Sequence, residues 1–176
     1  MIKIFSRFNS IYPFVPLYVE CTVLKTEKSD RSEFRRYCMH PYEKAIADSL
    51  NNIANKEVYF IISEIMALSE KTAAEVVGEL VSWACQPTNI MPITIARNCL
   101  EQFPVDWVSP KIKQTVFRFV DINDDWDYRR LLELCELISL DLLKWAIELH
   151  ERSTDPDIAE AVDDFNERLQ AKLAQK

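Results

Sequence analysis

Four aspartates and one asparagine lie within the first seven residues of the stretch Asp121–Arg130, which reads DINDDWDYRR. Carboxylate and amide side chains spaced two residues apart are the ligands that an EF-hand loop supplies to calcium from its first, third and fifth positions. Asp121, Asn123 and Asp125 have this spacing, and Asp127 occupies the seventh position. The first hypothesis for this stretch is therefore that it binds calcium.

Two positions of an EF-hand loop that would start at Asp121 conflict with calcium geometry. The sixth position of an EF-hand loop requires glycine for a sharp turn, but here it is Trp126, and a bulky residue rarely adopts positive φ. The twelfth position requires a bidentate glutamate, but it is Leu132, and Glu133 comes one residue too late. Elsewhere in the sequence, no cysteines and histidines have the spacing of a metal site. The sequence therefore predicts no bound metal and no cofactor.

The same acidic stretch has the composition of a helix N-terminus. Asp124 or Asp125 can cap a first turn, and acidic residues in that turn interact favourably with the positive end of the helix dipole. Arg129 and Arg130 lie three or four residues beyond the aspartates, which is the spacing at which opposite charges pair on a helix. This interpretation explains the aspartates by local structure alone.

A helix start does not explain the two large aromatic residues among the aspartates. Trp126 and Tyr128 can cover the edge of the core while their polar atoms reach water. They can equally anchor a partner protein, because tryptophan and tyrosine dominate binding hot spots. The sequence leaves both alternatives open. The candidate partner-binding surface comprises Asp121, Asp124, Asp125, Trp126, Asp127 and Tyr128.

The sequence offers few residues for nucleophilic or acid–base catalysis. Its two histidines are His40, at a predicted helix start, and His150, in the last turn of another predicted helix, where the helix dipole favours it. Cys38 lies two residues before His40, a spacing that rarely brings the two side chains together. The motifs of serine hydrolases and zinc proteases do not occur. We therefore expect a protein that is not an enzyme, with a dispersed active site as the alternative.

The chain of 176 residues contains a single glycine, Gly78. Phosphate-binding loops, dinucleotide-binding turns and tight β-hairpins all need glycine for positive φ or for close backbone approach. This composition, together with abundant leucine, isoleucine, alanine, glutamate and lysine, favours an all-α fold. Gly78 itself falls inside a predicted helix, where glycine costs about 1 kcal/mol relative to alanine, so we expect close helix contact there.

The formal net charge of −7 favours some classes of partner over others. Nucleic-acid binding depends on lysines and arginines that neutralise phosphates, so we expect no nucleic-acid partner, whereas an acidic surface attracts basic proteins. The five cysteines contain no C-x-x-C motif and mostly have apolar neighbours, which is typical of free thiols in a reducing compartment. No apolar stretch approaches the length of a membrane-spanning helix, so the sequence predicts a cytoplasmic, non-membrane protein.

Apolar residues recur at the helical period from Ser29 onward. The intervening stretch 105–109, VDWVS, is predicted to be a turn that carries a second Asp-Trp pair. The predicted helices cover residues 31–38, 41–54, 56–68, 92–103, 110–120, 127–138 and 140–151, and two more begin after Ser69 and after Asp155.

Residues 1–28 differ from the rest of the chain because they combine two prolines with many aromatic and β-branched residues. We expect this segment to be partly extended and to pack on the helices. Residues 29–176 are predicted to form the helical array, and the whole chain, 1–176, is expected to be one domain.

Two predicted helix starts share a pattern, since Ser109-Pro110 and Asp155-Pro156 each place a capping residue before a first-turn proline. The sequence STDPDIAEAVDDF resembles the start of a HEAT repeat, and the C-terminal half from Pro92 resembles the HEAT and armadillo-like class of helical repeats. The resemblance implies stacked antiparallel helical hairpins that bind a protein through a concave face or an edge. An irregular helical bundle is the alternative fold.

These features together predict a protein-binding, non-enzymatic helical protein. The most specific hypothesis is an acidic inhibitor or immunity-type protein that neutralises a basic toxin or enzyme, because opposite charges speed the encounter of two proteins. We expect such an inhibitor to be a monomer. A regulatory or scaffold subunit of a larger complex is the alternative function.

Overall fold

A computed structural model of the protein describes residues 40–59, 61–86, 88–150 and 154–175. Within these ranges the chain forms eight helices and no strand, which confirms the predicted all-α fold. The predicted N-terminal segment and the predicted helix over residues 31–38 lie outside the described residues. The helices are α1 (Pro41–Ala54), α2 (Ile62–Met66), α3 (Glu70–Ala84), α4 (Ile90–Leu100), α5 (Val105–Phe119), α6 (Asp125–Ile138), α7 (Leu140–Glu148) and α8 (Pro156–Leu173).

Side-chain N-caps begin α3, α7 and α8. The side chain of Ser69 accepts a hydrogen bond from the backbone N–H of Thr72 at 3.2 Å, and Ser139 caps α7 in the same way. Asp155 Oδ1 accepts from two backbone N–H groups of α8. Because these caps depend only on residues within three positions, the local sequence was sufficient to predict them.

Of the predicted helix over residues 56–68, only Ile62–Met66, which is α2, is helical. The prediction is therefore wrong for the first half of that range. Asn55 ends α1 in the left-handed conformation, with φ 52°, which turns the chain away from the helix axis. Asn51 Oδ1 then accepts a hydrogen bond from Val58 N at 2.8 Å and holds the chain in a turn. The short helix buries Ile65, whereas Met66 at its end is 36% exposed.

Helix α5 begins five residues earlier than predicted, so the stretch 105–109 is its first turn and not a connection between helices. Pro104 occupies the N-cap position, and Pro110 lies inside the helix, so the predicted Ser109-Pro110 helix start is wrong. A proline at that position removes the hydrogen bond to the carbonyl of the residue four earlier. The complete burial of Val108 and Ile112 on either side offsets this loss.

One hydrophobic core contains buried side chains from all eight described helices. Helix α3 lies at its centre, where it packs most extensively against α5 and α4 and also contacts α1, α2 and α6. Helices α6, α7 and α8 pack against one another. The single glycine lies on α3 directly under the ring of Phe119 of α5, which confirms the predicted close helix contact.

Arg97 of α4 connects the two groups of helices. Its Nε atom donates to the carbonyl of Ala84 at the end of α3, at 3.2 Å. Its Nη2 atom donates to the carbonyl of Arg130 at 3.0 Å and to the carboxylate of Glu133 at 2.9 Å, both on α6. The guanidinium group therefore fixes the position of α6, whose N-terminal end carries the acidic stretch.

None of the helices within the described ranges is both long enough and apolar enough to span a bilayer.

Candidate functional site

The acidic stretch forms the turn between α5 and α6 and the first residues of α6; residues 121–127 are called the acidic turn below. Asp121 Oδ1 accepts from Asn123 N at 3.0 Å, which closes the turn. Asp124 is the N-cap of α6, and its Oδ1 accepts from Asp127 N at 3.0 Å. The predicted helix start is thus confirmed, although α6 begins two residues earlier than expected.

The carboxylates of the acidic turn lie close together. Asp121 and Asp124 are exposed, whereas Asp125 and Asp127 are half-buried. The pKa of Asp127 is raised above the ordinary aspartate value. Burial is the largest cause of this raised pKa, and repulsion from the neighbouring carboxylates of Asp124 and Asp121 adds to it.

The two arginines expected to neutralise the acidic turn pair elsewhere, so that prediction is wrong. Arg129 Nη1 lies 2.8 Å from the carboxylate of Asp164 on α8. Arg130 Nη1 lies 2.8 Å from Glu133, which also binds Arg97. Arg129 is held by a contact between helices, which spacing along one helix does not reveal, whereas Arg130 pairs three residues ahead along α6 and not back toward the aspartates. Within the described ranges, the acidic turn consequently has no ion pair of its own.

The two aromatic residues of the stretch face in opposite directions. Tyr128 has no exposed surface, its hydroxyl donates to the carbonyl of Ala146 at 2.9 Å, and its ring meets the ring of His150 edge-on at 4.8 Å. Trp126 is 55% exposed. Residues two apart on a helix are separated by about 200° around its axis, which explains the division. Tyr128 therefore supports the site from the core, and Trp126 is the aromatic residue available to a partner.

Sequence reasoning missed a second exposed aromatic residue beside the acidic turn. Phe117 is 60% exposed near the C-terminal end of α5. It lies off the apolar stripe of that helix, which contains Val116, and this offset was the signal that could have identified it. Residues 117–123 line an open depression of about 470 Å³, so apolar surface and the carboxylate of Asp121 lie side by side.

The depression contains one cation, Arg118, and that cation already has a partner. Its guanidinium forms a bidentate ion pair with Glu75 of α3, in which Nη1 and Oε1 are 2.5 Å apart. The same guanidinium lies 4.8 Å from the ring centre of Phe119. Hydrogen bonding to Arg118 lowers the pKa of Glu75. The carboxylate of Asp121 is thus not paired by the arginine that lines the same depression.

Both histidines and the three described cysteines, Cys85, Cys99 and Cys135, occupy structural positions. His40 caps α1 through Nδ1, which accepts from Tyr42 N at 3.3 Å, and His150 packs on Tyr128. Burial raises the pKa of Cys85 and of Cys99 to about 12, so both thiols are protonated near neutral pH and weakly nucleophilic. Cys38 lies outside the described residues. Among the described residues, no group of three or more potential ligands is arranged to hold a metal ion.

Comparisons with known proteins add no assignment: no protein-family model matches the chain, and no curated protein or solved structure matches it significantly.

Proposed function

We propose that the protein is a non-enzymatic helical inhibitor or immunity-type protein that neutralises a basic toxin or enzyme through the acidic turn. One observation carries this proposal: the aspartates of the acidic turn have no ion pair within the described ranges, and they lie beside the exposed ring of Trp126. The binding surface comprises the acidic turn and Phe117, with Tyr128 as its buried support.

Each part of the surface has a distinct physical role in this proposal. The carboxylates attract a basic partner over a distance of about one Debye length, roughly 8 Å at physiological salt, and so raise the association rate. Trp126 and Phe117 supply apolar contact area after docking, which slows dissociation. Together the two kinds of group suit a partner that presents lysines or arginines around an apolar centre.

The scaffold under the surface supports a preorganised site. Tyr128 ties α6 to α7 through the carbonyl of Ala146, and Arg129 ties α6 to α8 through Asp164. A surface that is fixed before binding loses less conformational entropy when a partner docks. Rigid presentation of Trp126 is therefore consistent with an inhibitor that binds tightly.

We also propose that the helices stack as antiparallel hairpins, as HEAT repeats do. The packing of sequential helices α6, α7 and α8 on one another, and of α3 on both α4 and α5, supports this arrangement. In a hairpin array the connections lie at the edges, and the acidic turn is such a connection. The proposed partner would then bind at an edge of the array.

A reducing, cytoplasmic location is part of the same proposal. Cys85, Cys99 and Cys135 are buried as free thiols, which supports a compartment where disulfides do not form. Size-exclusion chromatography with and without reducing agent tests this point. We expect one monomeric species under reducing conditions.

The decisive test uses Asp124, Asp125 and Asp127 changed together to asparagine. Asparagine preserves the N-cap of α6, so the fold is retained while the charge of the turn changes by three units. We expect the wild-type protein to capture a basic protein from the native host, and we expect the purified pair to associate about tenfold more slowly at low salt in the variant.

A matched control is available on α8. Asp157, Asp163 and Glu167 are exposed and form no ion pair within the described ranges, so their amide variants change the net charge by the same amount. Unchanged association in the control, with a flatter salt dependence in the acidic-turn variant, supports the proposal. Equal association rates in all three proteins would contradict it.

A regulatory or scaffold subunit is the second candidate, and exposed apolar residues outside the acidic turn favour it. Ile61, Ile90 and Leu137 are all exposed. Such side chains are typical of surfaces that are covered in a permanent assembly. Sedimentation velocity separates the candidates, because a concentration-independent monomer fits a soluble inhibitor, and reversible self-association fits a subunit.

A further inference from the structure

The C-terminal end of α5 leaves backbone acceptors free beside the acidic turn. Val120 is the C-cap in an extended conformation, and its N–H donates to Val116 O as the last hydrogen bond of the helix. Within the described ranges, the carbonyl groups of residues 117–119 accept no backbone hydrogen bond. Free carbonyl groups at the end of a helix carry the negative end of its dipole, about half an elementary charge. This end of α5 therefore attracts a cation.

The acidic turn explains why these carbonyl groups stay free. The N–H of Asp121 would continue the helix if it donated to Phe117 O, but it interacts instead with the carboxylate of Asp127. The N–H of Asn123 donates to Oδ1 of Asp121 at 3.0 Å. Aspartate side chains thus occupy two N–H groups of the turn, which leaves the last carbonyl groups of α5 available to a ligand.

The free carbonyl groups belong to residues that line the open depression of about 470 Å³. The same depression includes Asp121, whose exposed carboxylate forms no ion pair with the described residues. It also includes Phe117, whose ring is available because the side chain is 60% exposed. A carboxylate, backbone carbonyl groups and the face of an aromatic ring all bind cations, and here they share one concave surface.

The positive groups near the depression are already neutralised. The guanidinium of Arg118 pairs with the carboxylate of Glu75. The positive end of the α6 dipole is capped by Asp124, and two more carboxylates, those of Asp125 and Asp127, lie in the first turn of that helix. These full negative charges outweigh the half charge of a helix end. The field at the depression is therefore negative.

We propose that this depression binds one arginine side chain of the basic partner. The inference rests on the binding surface assigned under the proposed function. A guanidinium group is planar, weakly hydrated and rich in N–H donors, so it bonds to the carbonyl groups of α5 and to Asp121 while it stacks on Phe117. A lysine ammonium group is more strongly hydrated and does not stack, so it binds less tightly.

Arg118 shows that this part of the surface suits a guanidinium group. Its guanidinium lies 4.8 Å from the ring centre of Phe119 and forms a bidentate ion pair with Glu75. A carboxylate and a phenyl ring thus already hold one guanidinium group at the end of α5. Asp121 and Phe117 provide the same two groups to the arginine of the partner.

The test uses the full-length protein and three small probes: N-acetyl-arginine amide, N-acetyl-lysine amide and N-acetyl-citrulline amide. Citrulline has nearly the shape of arginine without its charge. Each probe is titrated while nitrogen–proton NMR spectra follow the backbone amide signals of residues 117–123. We expect saturable shifts of these signals with the arginine probe, affinity at least about threefold lower for the lysine probe, and no saturable shift with the citrulline probe.

Two variants connect the binding to the groups that line the depression. Asp121→Asn keeps the side-chain oxygen that accepts from Asn123 N, so the turn is retained while the charge is removed. Phe117→Leu keeps an apolar side chain and removes the aromatic face. Each should weaken binding of the arginine probe at least about threefold. Asp163→Asn, which removes an exposed carboxylate of α8, is the matched control and should bind like the wild type.

Three results would overturn the inference. Equal shifts with the arginine and citrulline probes would show that charge is not recognised. Equal affinity for the lysine probe, or shifts that spread over the acidic surface without saturation, would show a general attraction for cations. Calcium chloride that shifts the signals of residues 117–123 at a lower concentration than the arginine probe would identify a metal site instead.

The outcome is separable from that of the proposed function. If the asparagine variant of Asp124, Asp125 and Asp127 slows partner association while the arginine probe leaves residues 117–123 unchanged, the proposed function stands and the arginine site is wrong. If the arginine probe binds as expected but partner association ignores the acidic turn, the depression recognises arginine and the proposed function is wrong.

Discussion

Phe119 of α5 lies so close to Gly78 of α3 that a Cβ atom at position 78 would be 2.4 Å from Phe119 Cε2 and 2.6 Å from Cδ2. No real pair of carbon atoms in non-bonded contact approaches this closely. The glycine is therefore a packing requirement of the most extensive helix contact in the described core. The same contact positions the end of α5, from which the acidic turn follows.

The first prediction concerns Gly78→Ala. Alanine is normally about 1 kcal/mol better than glycine inside a helix, but here its methyl group must displace an aromatic ring, which costs about 1–3 kcal/mol. We expect a lower free energy of unfolding in urea. Phe119→Leu in the same chain should restore part of the loss, and a purely additive double variant would show that the two residues do not interact.

The second prediction concerns Tyr128→Phe, which removes the hydroxyl that donates to Ala146 O. The loss of one buried hydrogen bond should lower the free energy of unfolding by about 1 kcal/mol, measured by urea denaturation. Trp126→Phe is the matched control, because its exposed side chain should change stability by less than about 0.5 kcal/mol. Equal destabilisation by both substitutions would contradict the opposite orientations of the two residues.

These two residues show how much of the site the sequence could reveal. The helix start and its aspartate cap depend on neighbours within three residues, so they were predictable. The separation of Trp126 from Tyr128 follows from helix geometry and could have been derived as well. The pairing of Arg129 with Asp164 could not, because it joins residues 35 positions apart in different helices.

The wrong predictions of helix boundaries also arise from interactions that the local sequence pattern does not show. Pro110 has the local signature of a helix start, yet burial on both sides keeps it inside α5. The residues around Val58 have a helical apolar pattern, but the side chain of Asn51 supplies a competing hydrogen bond. In both cases packing or a side-chain bond outweighed the local preference, and neither is visible in the spacing of apolar residues.

The third prediction concerns Arg97→Met, which keeps much of the side-chain volume and removes the charge. Ala84 O, Arg130 O and the carboxylate of Glu133 would each lose a donor. Because these groups are partly buried, we expect a loss of about 2–4 kcal/mol in the free energy of unfolding. Arg118→Met, at the exposed ion pair with Glu75, should have a much smaller effect.

The fourth prediction concerns pH and Asp127. Its folded-state pKa is raised by burial and by neighbouring carboxylates, so the folded protein holds this proton more tightly than the unfolded chain does. Stability from this group is therefore highest below the ordinary aspartate pKa and falls as pH rises through the folded-state pKa. We expect Asp127→Asn to be more stable than the wild type at pH 7 in urea titrations.

The advantage of that variant should shrink as the pH is lowered toward 4 and below, because the wild-type carboxyl then becomes neutral as well. Asp163→Asn on α8, where the side chain is exposed, is the matched control for the loss of one carboxylate. A constant difference between Asp127→Asn and the wild type at every pH would show that ionisation of the partly buried Asp127 carboxyl is not the cause.

The fifth prediction concerns the two exposed aromatic residues of the proposed surface, whose substitution should weaken partner binding without changing the stability of the fold. Trp126→Ala and Phe117→Ala should each leave the free energy of unfolding within about 0.5 kcal/mol of the wild type, because both side chains are more than half exposed. Against a purified basic partner, Trp126→Ala should weaken the equilibrium affinity at least tenfold, since a hot-spot aromatic contributes about 2 kcal/mol.

The kinetic origin of that loss distinguishes an aromatic anchor from a charge effect. Substitution of an uncharged residue should raise the dissociation rate and leave both the association rate and its salt dependence nearly unchanged. Leu173→Ala, an exposed apolar residue near the end of α8, is the matched control and should alter neither rate. If Trp126→Ala instead slows association, or if the control weakens binding equally, the aromatic residues beside the acidic turn do not form the centre of the interface.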